Sequence, residues 1–247
     1  MFKKPFKSKR DVGVEKIPEL VVETGSVYEK EAFNKLRDTV LFFLDNGKNK
    51  VLQVESSISG EGKSTVVANL AVMLADNGKK VAVMDLDFRK PQMHKVFKFA
   101  NTFGISEYVL GECPFEKAVK KTPYGVDVFN RGKATSNTSV VFTGNGFKEL
   151  IEKVKADYDV VLFDCPPVLQ VSDYIHLANY SDGVLFVISC DDVRRGQVKE
   201  AVTALRNSGA NVMGSVITFS RKLGFGGNYG SYFKYYKKYY GDYEGNK

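Results

Sequence analysis

Long apolar runs, disulfide-type cysteine patterns and internal repeats are all missing from this chain of 247 residues. No apolar run approaches the roughly 20 residues that a membrane-spanning helix needs. The basic N-terminal residues are not followed by the apolar segment of a secretory signal peptide. The three cysteines are widely spaced and odd in number, which predicts neither a disulfide framework nor a zinc site. Together these absences predict a cytoplasmic protein.

The positive charge of the chain is confined to its two ends. Five of the first ten residues are basic, and residues 221–247 hold six basic residues against two acidic ones. The ends together carry +9, so the residues between them carry −2 of the net +7. Basic flanks can bind anionic lipid or nucleic acid, or merely keep a chain in solution. Because the body shows no basic stripe, the sequence argues against nucleic-acid binding.

Strand-like apolar runs alternate with helical patterns along the body. The predicted strands are Lys50–Glu55, Lys80–Asp85, Val126–Asn130, Asp159–Asp164, Gly183–Ser189 and Asn211–Thr218. The predicted helices are Tyr28–Leu44, Lys63–Asn77, Pro114–Lys120, Gly146–Ala156, Tyr174–Asn179 and Arg194–Ser208. Near-continuous apolar strands indicate a parallel sheet covered on both faces. We therefore predict an α/β fold with a doubly wound, mostly parallel sheet, and ligands at the carboxyl ends of its strands.

Composition divides the chain into a polar, basic lead segment (1–27), a folded body (28–220) and a flexible tail (221–247). The tail holds seven of the 13 tyrosines: Tyr229, Tyr232, Tyr235, Tyr236, Tyr239, Tyr240 and Tyr243. An aromatic, basic tail can accept phosphate, stack on single-stranded nucleic acid or lie on a membrane. A phosphoryl-transfer site in the body favours the first of these readings.

A phosphate-binding loop is predicted between the first strand and the helix that follows it. Residues 57–65 read Ser-Ile-Ser-Gly-Glu-Gly-Lys-Ser-Thr, the G-x-x-x-x-G-K-[ST] pattern with serine in place of the first glycine. Main-chain N–H groups of such a loop hold phosphates, a lysine adds charge, and the following hydroxyl ligates Mg²⁺. The alternative, a Gly/Ser turn before an ordinary helix, leaves the Gly-Lys-Ser-Thr run unexplained. The predicted ATP-binding residues are Ser59, Gly60, Glu61, Gly62, Lys63, Ser64 and Thr65.

Three carboxylates follow buried strands. Asp85 and Asp87 end the Val-Ala-Val-Met run, and Asp164 ends the Val-Val-Leu-Phe run. Carboxyl ends of parallel strands face the ligand crevice, which favours a role at the phosphates over simple helix capping. Asp164 has the position of a Mg²⁺-holding acid.

These three motifs, in this order and spacing, resemble those of the bacterial tyrosine kinases, the cytoplasmic kinases of capsular and exopolysaccharide systems. The quoted segments are the phosphate loop, the Asp85-Leu86-Asp87-Phe88-Arg89-Lys90-Pro91 run and the Asp164-Cys165-Pro166-Pro167 run. The related division-site and partition ATPases (MinD/ParA type) carry a second lysine five residues before the phosphate-loop lysine. Ile58 stands there in this chain, which argues against that family.

The resemblance implies a P-loop tyrosine kinase of MinD/ParA-like fold that uses ATP and Mg²⁺. It implies Lys63, Asp85, Asp87 and Asp164 as catalytic residues, with Asp85 orienting or deprotonating the tyrosine hydroxyl. Ser64, Asp87 and Asp164 would serve the Mg²⁺ ion. The tail tyrosines would be phosphorylated in trans, so regulating polysaccharide synthesis and export. The competing hypothesis is a partition-type ATPase that switches between partners without phosphorylating tyrosine.

The resemblance further implies partners. These are a transmembrane activator or polysaccharide co-polymerase that recruits the kinase to the inner face of the cell membrane, a cognate tyrosine phosphatase, and further copies of the chain. The family's E-x-x-R-x-x-R helix motif, used between subunits, survives here as Glu31 and Arg37 with Asn34 replacing the middle arginine. At the end of the last strand Thr218 replaces an asparagine, so no adenine contact is carried over.

Overall fold

A computed structural model of the chain describes residues 17–44, 50–135, 137–190 and 192–218. The predicted flexible tail and its seven tyrosines lie outside these residues. In the part of the chain that the structure describes, no helix combines the length and apolar character needed to cross a bilayer.

Seven strands form one sheet in the order β3-β4-β2-β5-β1-β6-β7. Their bounds are β1 Val51–Ser56, β2 Val81–Asp85, β3 Val119–Lys121, β4 Val126–Phe129, β5 Val160–Asp164, β6 Gly183–Ser189 and β7 Val212–Thr218. Every pairing is parallel except that of β3 with β4. The parallel arrangement brings the carboxyl ends of six strands to one edge of the sheet.

Helices connect and cover these strands. They are α1 Val21–Thr24, α2 Val27–Leu44, α3 Lys63–Asp76, α4 Met93–Val96, α5 Ile105–Val109, α6 Phe115–Ala118, α7 Thr138–Thr143, α8 Asn145–Asp157, α9 Asp173–Leu177 and α10 Arg195–Asn207. The large apolar residues of α8, Phe147, Leu150, Ile151 and Val154, recur at helical spacing and are buried, which is why this segment forms an amphipathic helix.

Alternate strand residues build two cores, one on each face of the sheet. Val83 and Leu162 belong to the core that contains the buried residues of α3. Met84, Phe129 and Phe163 belong to the core that contains the apolar face of α8. Helices therefore cover both faces, as the near-continuous apolar strands predict. The predicted α/β, doubly wound, mostly parallel fold is confirmed.

One local prediction is wrong. The helix predicted over Pro114–Lys120 ends at Ala118, and Val119–Lys121 form β3 instead. This strand pairs antiparallel with β4 at the edge of the sheet. The pairing of β3 with β4 thus overrides the local helical pattern, because strand formation depends on context more than on local propensity.

Candidate active site

The phosphate loop spans residues 57–62, between β1 and α3, and its backbone requires glycine at two positions. Gly60 and Gly62 have φ angles of +94° and +92°, in the region that side-chain-bearing residues rarely adopt. Among the described atoms, none lies within 4 Å of a Cβ built on Gly60. The loop therefore leaves room for a ligand to approach its main chain.

Glu61 holds this loop from within the protein. Its Oε1 accepts a hydrogen bond from the Ile58 N–H at 2.7 Å, and its Oε2 accepts one from the Ser189 N–H of β6 at 3.1 Å. The Thr218 hydroxyl, at the end of β7, donates to the Glu61 carbonyl at 2.9 Å. Glu61 is 1% exposed, so any contact it makes to a phosphate falls to its main chain. The sequence analysis found no role for Thr218 or Ser189, because both act through distant pairings.

Asp85 and Asp164 stand side by side at the carboxyl edge of the sheet. They are register partners in the parallel pairing of β2 with β5, and both side chains are completely buried. Asp85 Oδ2 accepts hydrogen bonds from the N–H groups of Gln92 and Met93, each at 3.0 Å. Within the described residues, Asp85 Oδ1 and both carboxylate oxygens of Asp164 have no hydrogen-bond partner.

Such buried oxygens are costly unless a ligand satisfies them. Burial raises the pKa of Asp164 to about 6, against the opposing effect of the Lys63 ammonium. Burial, and then the neighbouring Asp164 carboxylate, raise the pKa of Asp85 well above its ordinary value. The edge thus concentrates negative charge that a cation would stabilise.

Asp87 lies two residues beyond the strand and is half-buried. Its Oδ1 accepts hydrogen bonds from the Arg89 and Lys90 N–H groups at 3.2 and 2.9 Å. One oxygen therefore holds the turn after β2, as the capping alternative expects for a strand-end aspartate. The Arg89 guanidinium bonds Asp173 Oδ2 at 2.6 Å and so ties this turn to α9.

The residues at this edge fit a phosphate-bound Mg²⁺ ion. Two glycines open the loop, Lys63 begins α3 at 6% exposure, and Asp164 presents two unpartnered oxygens. Within the described ranges, no group of three or more His, Cys, Asp or Glu side chains is arranged to hold a metal ion. That is compatible with Mg²⁺, which commonly takes one or two carboxylates and completes its shell with substrate phosphates and water.

Glu55 is a buried acid that the sequence analysis missed. It lies on β1, directly before the phosphate loop, and its Oε1 accepts a hydrogen bond from Gln53 Nε2 at 2.6 Å. Burial is the largest effect on this group and raises its pKa to about 8, although the Gln53 hydrogen bond and the Lys63 charge act in the opposite direction. The sequence signal that could have identified Glu55 is its position as a glutamate within an otherwise mostly apolar strand.

Replacing Glu55 by glutamine is expected to change how stability depends on pH. Because the folded-state pKa lies above the unfolded value, the folded chain binds more protons between pH 4.5 and about 8. Its unfolding free energy therefore falls as pH rises through that window. The amide keeps the contact to Gln53 and carries no charge. At pH 8.5 the variant should be more stable by about 3–5 kcal/mol, and at pH 4.5 the difference should vanish.

Urea unfolding at five pH values measures this difference. An exposed glutamate on α8, Glu152, provides the control, and its replacement by glutamine should show no comparable trend. A stability difference for Glu55→Gln that stays constant from pH 4.5 to 8.5 would contradict the assignment.

The helix α2 carries the altered charge motif. Arg37 bonds Asn34 Oδ1 at 3.1 Å and Asp38 Oδ1 through Nη2 at 2.8 Å, both on its own helix. Glu31 lies 3.9 Å from Lys35. Asn34 therefore accepts a hydrogen bond from Arg37, three residues further along the helix. In the related motif, the position of Asn34 is occupied by the middle arginine.

The chain resembles known proteins in sequence and in fold. A family model described as an AAA domain matches residues 49–209. The chain is 34% identical to tyrosine-protein kinase YwqD of Bacillus subtilis over 203 residues, which cover 82% of this chain and 85% of YwqD. It is 28% identical to tyrosine-protein kinase Etk of Escherichia coli K12, over 81% of this chain but only 28% of Etk. The chain thus spans little more than a quarter of that longer relative.

Solved structures agree with the sequence matches. The kinase domain of Escherichia coli tyrosine kinase ETK superposes with a TM-score of 0.74 at 27% identity, covering 79% of this chain and 78% of that domain. The septum site-determining protein MinD from Pyrococcus horikoshii, complexed with Mg-ADP, superposes with a TM-score of 0.58 at 22% identity, covering 68% and 69%. The second likeness shows a shared fold alone.

Proposed function

Since the chain belongs to the family of bacterial tyrosine kinases and is a protein-tyrosine kinase, we propose that it phosphorylates the tyrosines of its own tail, one copy acting on another. One observation carries this proposal. Two buried strand-end carboxylates, Asp85 and Asp164, present unpartnered oxygens beside a glycine-opened phosphate loop. This edge can hold a metal-bound triphosphate and also receive a phenol.

The residues of the loop and β5 would bind the substrate ATP. The N–H groups of residues 59–65 would bind the phosphates, and the Lys63 ammonium would balance their charge. The Ser64 hydroxyl and an Asp164 oxygen would hold Mg²⁺, which would supply charge neutralisation at the transferring phosphoryl group. Asp87, whose Oδ1 is occupied by its own turn, contributes through Oδ2 or through water.

Asp85 would receive the proton of the acceptor tyrosine. Its Oδ2 is fixed by two main-chain N–H groups, so Oδ1 is the oxygen that remains for the phenol. Because its pKa is raised, the Asp85 carboxylate is a stronger base once it is ionised. Asp85 and Asp164 thus divide the work, the first serving the acceptor and the second the metal.

The position of Thr218 supports the tail as acceptor. This residue, the last that the structure describes before the tail, contacts the phosphate loop through its hydroxyl and lies at the same edge of the sheet as the site. Tyr229 is eleven positions further along the chain, a span of up to about 36 Å when extended. A segment of that length is long enough to bring a tail tyrosine back to this edge.

We further propose that this kinase acts in capsule or exopolysaccharide synthesis and export, a role supported by its family. A transmembrane activator would recruit it to the inner face of the membrane, and a cognate phosphatase would reverse its modification. We divide the chain functionally as a basic lead (1–27), a kinase body (28–220) and an acceptor tail (221–247). Homo-oligomerisation would bring the tail of one copy to the active site of another. Glu31 on α2, whose contact to Lys35 measures 3.9 Å, would then bind cationic side chains of the neighbouring copy.

Replacement of all seven tail tyrosines by phenylalanine is expected to remove labelling completely. The full chain is incubated with γ-labelled ATP and Mg²⁺, alone and with the cytoplasmic segment of the proposed activator. The variant keeps the tail's length and charge, so only the acceptor hydroxyls are lost. Label on the parent chain but not on the variant, read on a gel, supports autophosphorylation.

Mixing two variants tests transfer in trans. The seven-phenylalanine chain serves as enzyme, and Lys63→Met with an intact tail serves as acceptor. Label on the acceptor indicates transfer between copies. Phosphate release into solution without phosphotyrosine would instead favour the partition-type ATPase, and label that persists on the seven-phenylalanine chain would refute the tail as acceptor.

A further inference from the structure

Asn130 is a further buried polar side chain at this edge whose polar atoms have no partner among the described residues. It follows β4 directly and is 0% exposed. Neither its Oδ1 nor its Nδ2 finds a hydrogen-bond partner among the described residues. A buried amide with four hydrogen-bonding positions and none used is exceptional in a folded protein.

The register of the sheet brings Asn130 to Asp85. Met84 pairs with Phe129 in the parallel β2–β4 ladder, so the next residues on the two strands are Asp85 and Asn130. Val83 and Val128 belong to the α3-side core, whereas Met84 and Phe129 belong to the opposite one. By alternation, Asp85 and Asn130 continue on the α3 side, the side of the phosphate-loop helix.

The backbone around Asn130 is fixed, which leaves its side chain as the open group. Its carbonyl accepts a hydrogen bond from the Ile105 N–H at 2.8 Å. The following residue, Arg131, donates to the Phe88 carbonyl at 3.0 Å and so joins this loop to the turn after β2. The register thus places Asn130 on the strand next to Asp85, and the Asn130 amide and Asp85 Oδ1 both lack a hydrogen-bond partner among the described residues.

We propose that Asn130 contacts the acceptor tyrosine, its amide N–H donating to the phenolic oxygen while Asp85 Oδ1 accepts the phenolic proton. This inference rests on the proposed function. During transfer the phenolic O–H bond breaks and its proton passes to Asp85. The phenolic oxygen forms the new O–P bond, and the γ-phosphoryl group separates from ADP. The amide donor stabilises negative charge on the oxygen as the proton leaves.

The proposal makes opposite predictions for stability and for catalysis. In Asn130→Leu the unpartnered amide is replaced by an apolar side chain of similar size. Removing a buried polar group without a partner should raise Tm by about 2–4 °C. Transfer to the tail should fall about 10- to 100-fold in kcat, while the Kd for ATP changes less than threefold. A merely structural role would lower Tm instead.

Asn69 provides a matched control because it is equally buried and both its amide oxygen and its amide nitrogen are hydrogen-bonded. Its Oδ1 accepts from the Val21 N–H at 2.6 Å, and its Nδ2 donates to the Glu19 and Thr65 carbonyls at 3.0 and 2.9 Å. Asn69→Leu should therefore lower Tm. Asn130→Ala guards against overpacking by leucine and should show the same loss of transfer.

The assay uses the seven-phenylalanine chain, with or without each Asn130 substitution, as enzyme and the Lys63→Met chain as acceptor. Tm is measured by calorimetry and the Kd for ATP by titration. A Tm that falls in Asn130→Leu as in Asn69→Leu overturns the proposal, and so does a kcat within threefold of the parent. If the parent enzyme itself transfers nothing, the proposed function fails first, and the tyrosine contact fails with it.

Discussion

Transfer of phosphate to the tail is expected to fall at least about 100- to 1000-fold when Lys63 is replaced by methionine. Methionine keeps the length and packing of a side chain that is 6% exposed, and it removes only the charge. That charge also acts on the surrounding acids, since it lowers the pKa of both Asp164 and Glu55. Its loss should therefore weaken ATP binding and leave the carboxylates harder to ionise. Initial rates of label incorporation at saturating Mg²⁺ measure the effect.

Lys199→Met is the matched control for this prediction. Lys199 is exposed on α10, outside every group assigned to the site. The same loss of one positive charge there should leave transfer within twofold of the parent. Equal rates for Lys63→Met and the parent would mean that the loop does not bind the phosphates that react.

The sheet could be predicted because its cause is local. Four successive buried residues in Val160–Phe163 require cover on both faces, whatever the rest of the chain does. The phosphate loop is likewise contained in nine consecutive residues, and positive φ at Gly60 and Gly62 explains its glycines. The β3 strand could not be predicted, because its three residues become a strand only by pairing with β4.

The residues of the candidate site likewise fall into two groups, those that local sequence predicts and those that depend on long-range pairing. Strand-end position alone singles out Asp85 and Asp164, but their adjacency depends on β2 pairing with β5, which are about 80 residues apart in sequence. The internal role of Glu61 depends on Ser189, far along the chain. Asn130 attracts attention only once its missing partners are known. Residue type and spacing therefore predict which side chains have a functional role, and long-range pairing determines which of them lie close together.

Replacing Asp85 by asparagine is expected to lower transfer about 100- to 10,000-fold, the usual contribution of a general base. The amide oxygen can still accept from the Gln92 and Met93 N–H groups, so the local fold should persist. Because burial and Asp164 raise the pKa of Asp85, a neutral side chain there should raise Tm at pH 8. Ionising this acid in the folded chain is unfavourable, and the unfolding free energy decreases as pH rises through its raised pKa. Calorimetry and phosphotyrosine blotting report the two effects.

Asp157→Asn is a suitable comparison, because this substitution makes the same change in charge at a residue that is exposed at the end of α8. It should leave both Tm and transfer unchanged. Asp164→Asn should differ from Asp85→Asn in another way, by raising the Mg²⁺ concentration needed for half-maximal rate. An Asp85→Asn enzyme that transfers at more than a tenth of the parental rate would remove Asp85 as the base. A parallel increase in its Mg²⁺ requirement would assign Asp85 to the metal instead, because the acceptor role predicts a slower reaction at an unchanged Mg²⁺ dependence.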